Sequence, residues 1–148
     1  MITVNTRELM APPQKCLAET DSVVLAARRM RALGVSTVPV SDRQNGFIGM
    51  LSDRDIVERC VADAVNPGEM PVGDLVQGPQ QCVKANRVAD SSVLGLVLRQ
   101  PLGVLPVVED GILVGVLTLA GMAGHLIDDT DLDGSAGQLW WPVPTDGC

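Results

Sequence analysis

Hydrophobic and polar positions recur in two periods along the chain, which predicts a mixture of helices and strands. Two predicted strands, Val35 to Val40, which is rich in β-branched residues, and Phe47 to Leu51, flank Asn45-Gly46, a strong signal for a hairpin turn. Before this hairpin, apolar residues follow helical spacing up to Gly34, which favours the end of a helix. A second helix is predicted to begin near Asp53. The earlier helical stripe consists of Val23, Ala26, Ala27, Met30 and Leu33.

The same order of elements returns after a linker that contains Asn66-Pro67-Gly68. A helix is predicted over Val88 to Arg99, then a hairpin, then a helix that begins near Leu119. The period is too long for the common solenoid repeats, so two copies suggest a pseudo-symmetric pair. We therefore predict a first repeat at 1–66, a second at 67–128 and a tail at 129–148. Positions 66 or 67 residues apart match: Leu9 with Leu75, Cys16 with Cys82, Pro39 with Pro106, Gly49 with Gly115, and Ser52 with Thr118.

Polar chemistry concentrates where the second hairpin strand of the first copy meets its helix. Ser52 can cap that helix with its hydroxyl, and Asp53 and Asp55 suit the positive end of the helix dipole. Arg54 adds a guanidinium within the same turn. This set could hold a sugar hydroxyl and a phosphate, although ordinary helix capping would use the same residue types.

The repeated motifs resemble those of tandem cystathionine-β-synthase (CBS) domain pairs, also called Bateman modules, of the small stand-alone bacterial type. Each copy has the order β-α-β-β-α, a proline in its middle strand (Pro39 or Pro106) and a Gly-apolar-apolar-Ser/Thr entry to its last helix. The resemblance covers about residues 4–127. It implies an α/β (α+β) fold in which two pseudo-symmetric repeats pack through their sheets.

The resemblance also implies a ligand. Many members of the family bind AMP, ADP, ATP or S-adenosylmethionine in clefts between the repeats, through a Ser/Thr-x-x-Asp pattern that matches Ser52-Asp53-Arg54-Asp55 here. Asp55 would then bind the ribose hydroxyls, as a carboxylate can through charge-assisted bonds, and Ser52 would assist. The other implied ligand-binding residues are Arg54 at the phosphate, Ser36, Thr37 and Met50 around the base, and Gly103 and Val104 on the opposite repeat.

The second copy departs from this pattern. Thr118-Leu119-Ala120-Gly121 keeps the hydroxyl but has glycine where the family has aspartate. We therefore expect one competent site and a second that is empty or weak. The resemblance predicts a regulatory module, not an enzyme, with no obligatory cofactor, and a homodimer. The alternative is a structural module that dimerises or docks a protein partner without any ligand.

Charge and composition limit the classes of partner that this chain is expected to bind. The net charge is −7 and no basic stripe is present, so neither nucleic acid nor an anionic membrane surface is expected as a partner. No run reaches about 18 apolar residues, and the first ten residues contain no apolar segment typical of a signal, so a cytoplasmic location is expected. The four cysteines show no C-x-x-C spacing and there is one histidine, so no metal site is predicted.

Two features allow more than one interpretation. Cys16 and Cys82 occupy equivalent places in the repeat, and they could be two small buried residues or a disulfide if their Cα atoms lie within about 7 Å. Trp140-Trp141 lies in the tail of a chain that has few aromatic residues. These tryptophans could fold back on their own chain, dock on a second subunit, or remain exposed in a disordered tail.

Overall fold

The computed structural model describes residues 3–76, 81–100 and 103–126. The chain divides into two compact units. We call Gln14–Gln80 the central unit, and Met1–Pro13 together with Gln81–Cys148 the split unit. These units follow packing, whereas the predicted repeats at 1–66 and 67–128 follow sequence similarity and stay predictions. The predicted tail at 129–148, with Trp140 and Trp141, lies outside the described residues.

The central unit contains a three-stranded sheet in the order β1-β2-β3. Strand β1 runs parallel to β2, and β2 runs antiparallel to β3. After α1 (Thr6–Leu9), which belongs to the split unit, the elements are β1 (Leu17–Ala18), α2 (Val23–Leu33), β2 (Thr37–Ser41), β3 (Phe47–Ser52), α3 (Asp53–Ile56), a π-helical segment (Val57–Val61) and a 3₁₀ turn (Val72–Asp74).

The split unit repeats this arrangement with a sheet in the order β4-β5-β6. A register shift falls at Val40/Ser41 in the first sheet and at Val107/Val108 in the second, which are equivalent places in the repeat. The predicted mixed α+β class with duplicated elements is thereby confirmed. The elements are α1, β4 (Val83–Lys84), α4 (Ser91–Arg99), β5 (Val104–Glu109), β6 (Ile112–Thr118) and α5 (Leu119–Leu126).

Local sequence explains where most helices begin and end. Ser22 caps α2 by accepting a hydrogen bond from the Leu25 N–H, and Gly34 ends the helix in the left-handed conformation at φ 65°. Helix α4 begins later than the predicted Val88, because Asp90 accepts bonds from the Ser92 and Val93 N–H groups. The helix predicted from Asp53 is α-helical only to Ile56 and then widens into the π segment.

Each unit has its own aliphatic core, as expected for a chain with few aromatic side chains. Burial of one Val or Leu side chain contributes about 1.5–3 kcal/mol, so either core contributes substantially to its unit. The central core is Leu17, Val23, Ala26, Met30, Val38, Val40, Leu51, Cys60, Val72 and Leu75. The split core is Val83, Ala85, Ala89, Val93, Leu94, Leu96, Val97, Leu105, Val107, Leu117 and Met122.

The N-terminal segment is built into the split unit. The Thr6 side chain is fully buried, and its hydroxyl donates to the backbone carbonyls of Lys84 (2.6 Å) and Ala85 (2.9 Å). Ala11 and Val116 exchange two backbone hydrogen bonds of 2.8 and 3.0 Å. The segment therefore runs beside β6 and approaches the start of α5, which is the counterpart of the Ser52 junction.

Candidate functional site

A reciprocal capping box organises the predicted site at the junction of β3 and α3. The Ser52 hydroxyl accepts a hydrogen bond from the Asp55 N–H at 3.1 Å. Asp55 Oδ2 in turn accepts one from the Ser52 N–H at 3.0 Å. Asp55 is half-buried, and within the described part of the chain its Oδ1 accepts no hydrogen bond. One carboxylate oxygen thus stabilises the helix start, while the other is available to a ligand.

Arg54, the residue predicted to bind a phosphate, pairs with a residue of its own helical segment. Its Nε donates to Glu58 Oε1 at 2.7 Å, and the Arg54 side chain is 81% exposed. The hydrogen bond and charge of Glu58 raise the pKa of Arg54 above its usual value. An exposed ion pair of this kind is weak, so a phosphate could compete for the guanidinium. The phosphate role of Arg54 stays a prediction.

The other predicted residues of the central unit surround this junction. Thr37 is buried and lies opposite Ser52 in the register of β2 and β3. The Ser36 carbonyl accepts a hydrogen bond from the Asp53 N–H at 2.9 Å. Met50 is half-buried and lies on the same strand face as Ser52, because side chains two residues apart share a face. The structure therefore brings Ser36, Thr37, Met50, Ser52 and Asp55 to one corner of the unit.

A fifth polar residue lies at this corner, Gln14, which no sequence pattern indicated. Its Nε2 donates to the Thr37 carbonyl at 3.5 Å, which orients the amide. Its Oε1 is buried and accepts no hydrogen bond from the described residues. A buried acceptor without a partner costs about 1–3 kcal/mol, which a ligand donor would recover. Gln14 belongs to no motif and lies 23 positions before Thr37, so only the fold brings the two together.

Gly103 and Val104 lie in the split unit. Val104 begins β5 opposite Thr118, and Gly103 precedes it with a left-handed φ of 67°. Their implied contact with a ligand from the opposite repeat stays a prediction.

The junction of the split unit lacks the carboxylate, and its glycine lies close to the N-terminal segment. Thr118 Oγ1 accepts a hydrogen bond from the Gly121 N–H at 3.1 Å, so the hydroxyl still caps the helix. A Cβ atom on Gly121, however, would stand 3.1 Å from the Leu9 carbonyl oxygen, which is closer than most such contacts. Earlier on β6, a Cβ on Gly115 would overlap the Met10 side chain and lie 2.9 Å from the Ala11 carbonyl oxygen. A side chain at position 121 would therefore need the N-terminal segment to shift by a few tenths of an ångström.

Cys16 has a free thiol, so it forms no disulfide with Cys82. Burial raises the pKa of the Cys16 thiol, and a hydrogen bond with Ser41 and the charge of Arg29 partly oppose this effect. Cys82 is buried at 2% exposure and is disulfide-bonded, whereas Cys16 is only partly buried, so the two equivalent cysteines are not simply a pair of small buried residues.

The split unit has a cavity of about 430 Å³, but none of the predicted ligand residues lines it. Among the described residues, no three His, Cys, Asp or Glu side chains are grouped so that they could hold a metal ion. None of the described helices has the length and apolar character needed to cross a membrane. The cavity is lined by Cys82, Lys84, Ala85, Asn86, Val108, Glu109, Asp110 and Gly111.

Comparison with known proteins relates this arrangement to one family. The family model of the CBS domain matches residues 7–62. Hypoxic response protein 1 of Mycobacterium tuberculosis is 29% identical over 120 residues, which cover 81% of this chain and 83% of that protein.

Solved structures agree in fold. A crystal structure of Hypoxic Response Protein I with two coordinated zinc ions has a TM-score of 0.72 and 28% identity, and the match covers 83% of this chain and 99% of that one. A CBS domain pair/ACT domain protein from Thermotoga maritima has a TM-score of 0.69 at 22% identity, with coverage of 86% and 99%. The second likeness concerns the fold alone.

Proposed function

The chain belongs to the CBS-domain proteins as a tandem CBS pair, and we propose that it is a regulatory module that senses an adenosine-type nucleotide through Asp55. CBS pairs are commonly regulatory and ligand-binding. One observation carries the proposal for this chain. The half-buried Asp55 carboxylate uses one oxygen in the capping box with Ser52 and offers the other to a ligand.

The proposed ribose contact follows from the chemistry of a cis-diol. Two neighbouring hydroxyls can donate to one carboxylate, and charge-assisted bonds of this kind are shorter and stronger than neutral ones. A carboxylate oxygen can accept two hydrogen bonds, so a ligand that takes both oxygens of Asp55 shares Oδ2 with the Ser52 N–H. Binding at this corner is therefore coupled to the first turn of α3.

Gln14 supports adenine as the proposed base. The 6-amino group of adenine is a donor, and the buried Gln14 Oε1 is an acceptor without a partner among the described residues. Hypoxanthine carries an oxygen at the same position, which would face Oε1 with a second acceptor. A site that hydrogen-bonds one group discriminates strongly against an analogue that lacks it, so the proposed site favours ATP over inosine triphosphate.

Calorimetry and thermal shift with AMP, ADP, ATP and S-adenosylmethionine test the proposal. A ligand at about 100 times its dissociation constant adds roughly 2.7 kcal/mol of stability, which is a shift of several degrees for a chain of this size. Asp55→Asn retains an acceptor for the Ser52 N–H but removes the charge, and we expect it to weaken binding about tenfold or more. Asp53→Asn is the matched control, because Asp53 is an exposed carboxylate in the same turn.

The base contact has its own test. Gln14→Leu should abolish a preference of about tenfold or more for ATP over inosine triphosphate, while ATP still binds through Asp55. The proposed function would be rejected if the folded wild type showed no shift with any of the four ligands, or if Asp53→Asn and Asp55→Asn weakened binding equally.

A second function, assembly without a ligand, is favoured by a different observation. Val57 and Val61 of the π segment are 57% and 63% exposed, although both are apolar. A second copy of the chain could cover them and form the expected homodimer. Val57→Lys should then shift the mass measured by light scattering toward the monomer. Ile112→Lys, at 47% exposure in the split unit, is the control.

The crystal structure of Hypoxic Response Protein I contains two coordinated zinc ions. In this chain the proposed site offers its ligand the carboxylate of Asp55, the hydroxyl of Ser52 and the amide of Gln14, and recognition through these groups needs no metal. A cytoplasmic location and a separate protein partner remain predictions from the sequence.

A further inference from the structure

One arginine, Arg59, holds the end of the 3₁₀ turn Val72–Asp74 in the central unit. Its Nη1 donates to the Leu75 carbonyl at 2.5 Å, and its Nη2 donates to the Asp74 carbonyl at 3.1 Å. These carbonyls end the 3₁₀ turn Val72–Asp74, where helical carbonyls have no partner within the helix. A planar guanidinium that spans two neighbouring carbonyls fixes the direction of the chain as well as its position.

The start of this turn is fixed by a different contact. The Val72 N–H donates to the Asp21 carbonyl at 2.7 Å, and the Gly73 N–H donates to the Glu19 carbonyl at 2.9 Å. A Cβ on Gly73 would stand 3.0 Å from Glu19, so the two segments pack closely. The corner between β1 and α2 therefore holds the first half of the turn, and Arg59 holds the second half.

The π segment determines where Arg59 points. The Ala62 N–H donates to the Val57 carbonyl at 2.9 Å, five residues earlier, so this part of the helix is wider than an α-helix. The wide turn rotates the following residues relative to an α-helix, and here it leaves Cys60 fully buried with Arg59 beside the 3₁₀ turn. Arg59 is thus four residues after Asp55 on one continuous helical segment.

We propose that Arg59 is a positioning residue that couples the capping box of Ser52 and Asp55 to the turn Val72–Asp74. A change that takes the Asp55 carboxylate away from the Ser52 N–H loosens the first turn of α3. The loosened helix then changes the hold of Arg59 on the carbonyls of Asp74 and Leu75. The coupling itself does not depend on a ligand, and only its use as a signal of nucleotide binding rests on the proposed function.

Hydrogen exchange on the full chain tests the coupling in a double-mutant cycle. The readout is the exchange of the Asp74 and Leu75 amides relative to the core amide of Val40, in wild type, Asp55→Ala, Arg59→Met and the double variant. We expect each single change to speed exchange about tenfold, the factor for loss of one or two intramolecular hydrogen bonds. The double variant should exchange no faster than Arg59→Met, because the coupling acts through Arg59.

Matched variants separate coupling from general loosening. Arg43→Met removes an exposed arginine of the same unit and should leave the exchange unchanged. Arg59→Lys keeps the stem and charge but not the fork, so it should give intermediate exchange that still responds to Asp55→Ala. It also replaces Arg59→Met in the cycle if the methionine variant does not fold.

Multiplicative effects in the double variant, or an Asp55→Ala variant with unchanged exchange at Asp74 and Leu75, would overturn the proposal. Nucleotide binding is measured separately by calorimetry. A wild type that binds no nucleotide but shows the non-additive cycle would reject the proposed function and keep the coupling. A wild type that binds nucleotide but shows multiplicative effects in the cycle would reject only the coupling.

Discussion

The two strand-to-helix junctions share one backbone plan and differ in what occupies the space beside the third helical residue. In the central unit, that residue is Asp55, whose carboxylate returns to the Ser52 N–H. In the split unit it is Gly121, and the Leu9 carbonyl oxygen lies 3.1 Å from the position of a Cβ atom. Both junctions keep the hydroxyl cap, from Ser52 and from Thr118.

This difference separates the needs of the fold from those of a ligand. The hydroxyl is present in both units because each helix needs a cap for its first N–H groups. The carboxylate is present in one unit only, so the fold forms without it. Asp55 is therefore the residue at this junction with the most freedom to serve a ligand, while a side chain at Gly121 would crowd the Leu9 carbonyl of the N-terminal segment.

The largest expected effect comes from adding a methyl group at Gly115. Gly115→Ala would place a Cβ against the Met10 side chain and 2.9 Å from the Ala11 carbonyl oxygen. We expect a loss of about 2 kcal/mol in the free energy of unfolding, measured in urea, because the backbone of the N-terminal segment must move. Met10→Ala should relieve part of this cost in the double variant. Full additivity of the two changes would contradict the packing described here.

Removal of the two hydroxyl caps should have equal effects. Ser52→Ala and Thr118→Ala should each lower the free energy of unfolding by about 1 kcal/mol, because each removes one bond to a helix N–H. Thermal unfolding of both variants measures this. A much smaller cost for Ser52→Ala would mean that the bond from the Ser52 N–H to Asp55 supports the helix alone, and the carboxylate would then be less available to a ligand.

Alanine substitutions at two glycines of α5 should have different effects on stability. Gly124→Ala should raise the free energy of unfolding by up to about 1 kcal/mol, since a Cβ there meets no atom within 4 Å and alanine favours a helix. Gly121→Ala should show no such gain, because its Cβ would crowd the Leu9 carbonyl. Equal gains in thermal unfolding at both positions would refute the steric explanation for Gly121.

The aspartate itself can be restored in the second junction. Gly121→Asp should leave the nucleotide stoichiometry measured by calorimetry at one per chain, because the Leu9 carbonyl occupies the adjoining space. A second equivalent of bound nucleotide would show that the missing carboxylate alone had disabled the second site.

The smallest effect concerns Cys16, the repeat counterpart of Cys82. Burial raises the pKa of the Cys16 thiol, so alkylation of the folded chain should reach half its maximal rate at a higher pH than alkylation of the urea-unfolded chain. The folded state binds this proton more tightly. Its stabilising contribution is therefore complete below the pKa of an exposed cysteine and is lost as the pH rises through the folded pKa. The Cys16→Ser variant lacks this thiol, so comparison with it identifies the part of the alkylation that occurs at Cys16.

Much of the fold was predictable because its signals are local. Gly34 and the Asn45-Gly46 turn mark the ends of elements, and the duplicated strand with Pro39 and Pro106 marks the repeat. The helix after Ser52 was predicted as continuous, and its widening at Val57 was missed, because no residue type signals a π turn. At the candidate site, the helix cap by Ser52 was predictable from its position before Asp53, whereas Gln14 was missed because only the fold brings it to Thr37.

The sequence by itself determined the duplicated order of elements, the hydroxyl caps and the loss of aspartate at Gly121, since each is written in the spacing of neighbouring residues. Only the tertiary structure decided which unit the first residues join, as the Thr6 hydroxyl reaches the Lys84 carbonyl 78 positions away. It also decided how closely the Leu9 carbonyl approaches Gly121 and how Arg59 holds the end of the 3₁₀ turn. Contacts of this kind depend on which distant backbone atoms meet when the core closes, and no local propensity encodes them.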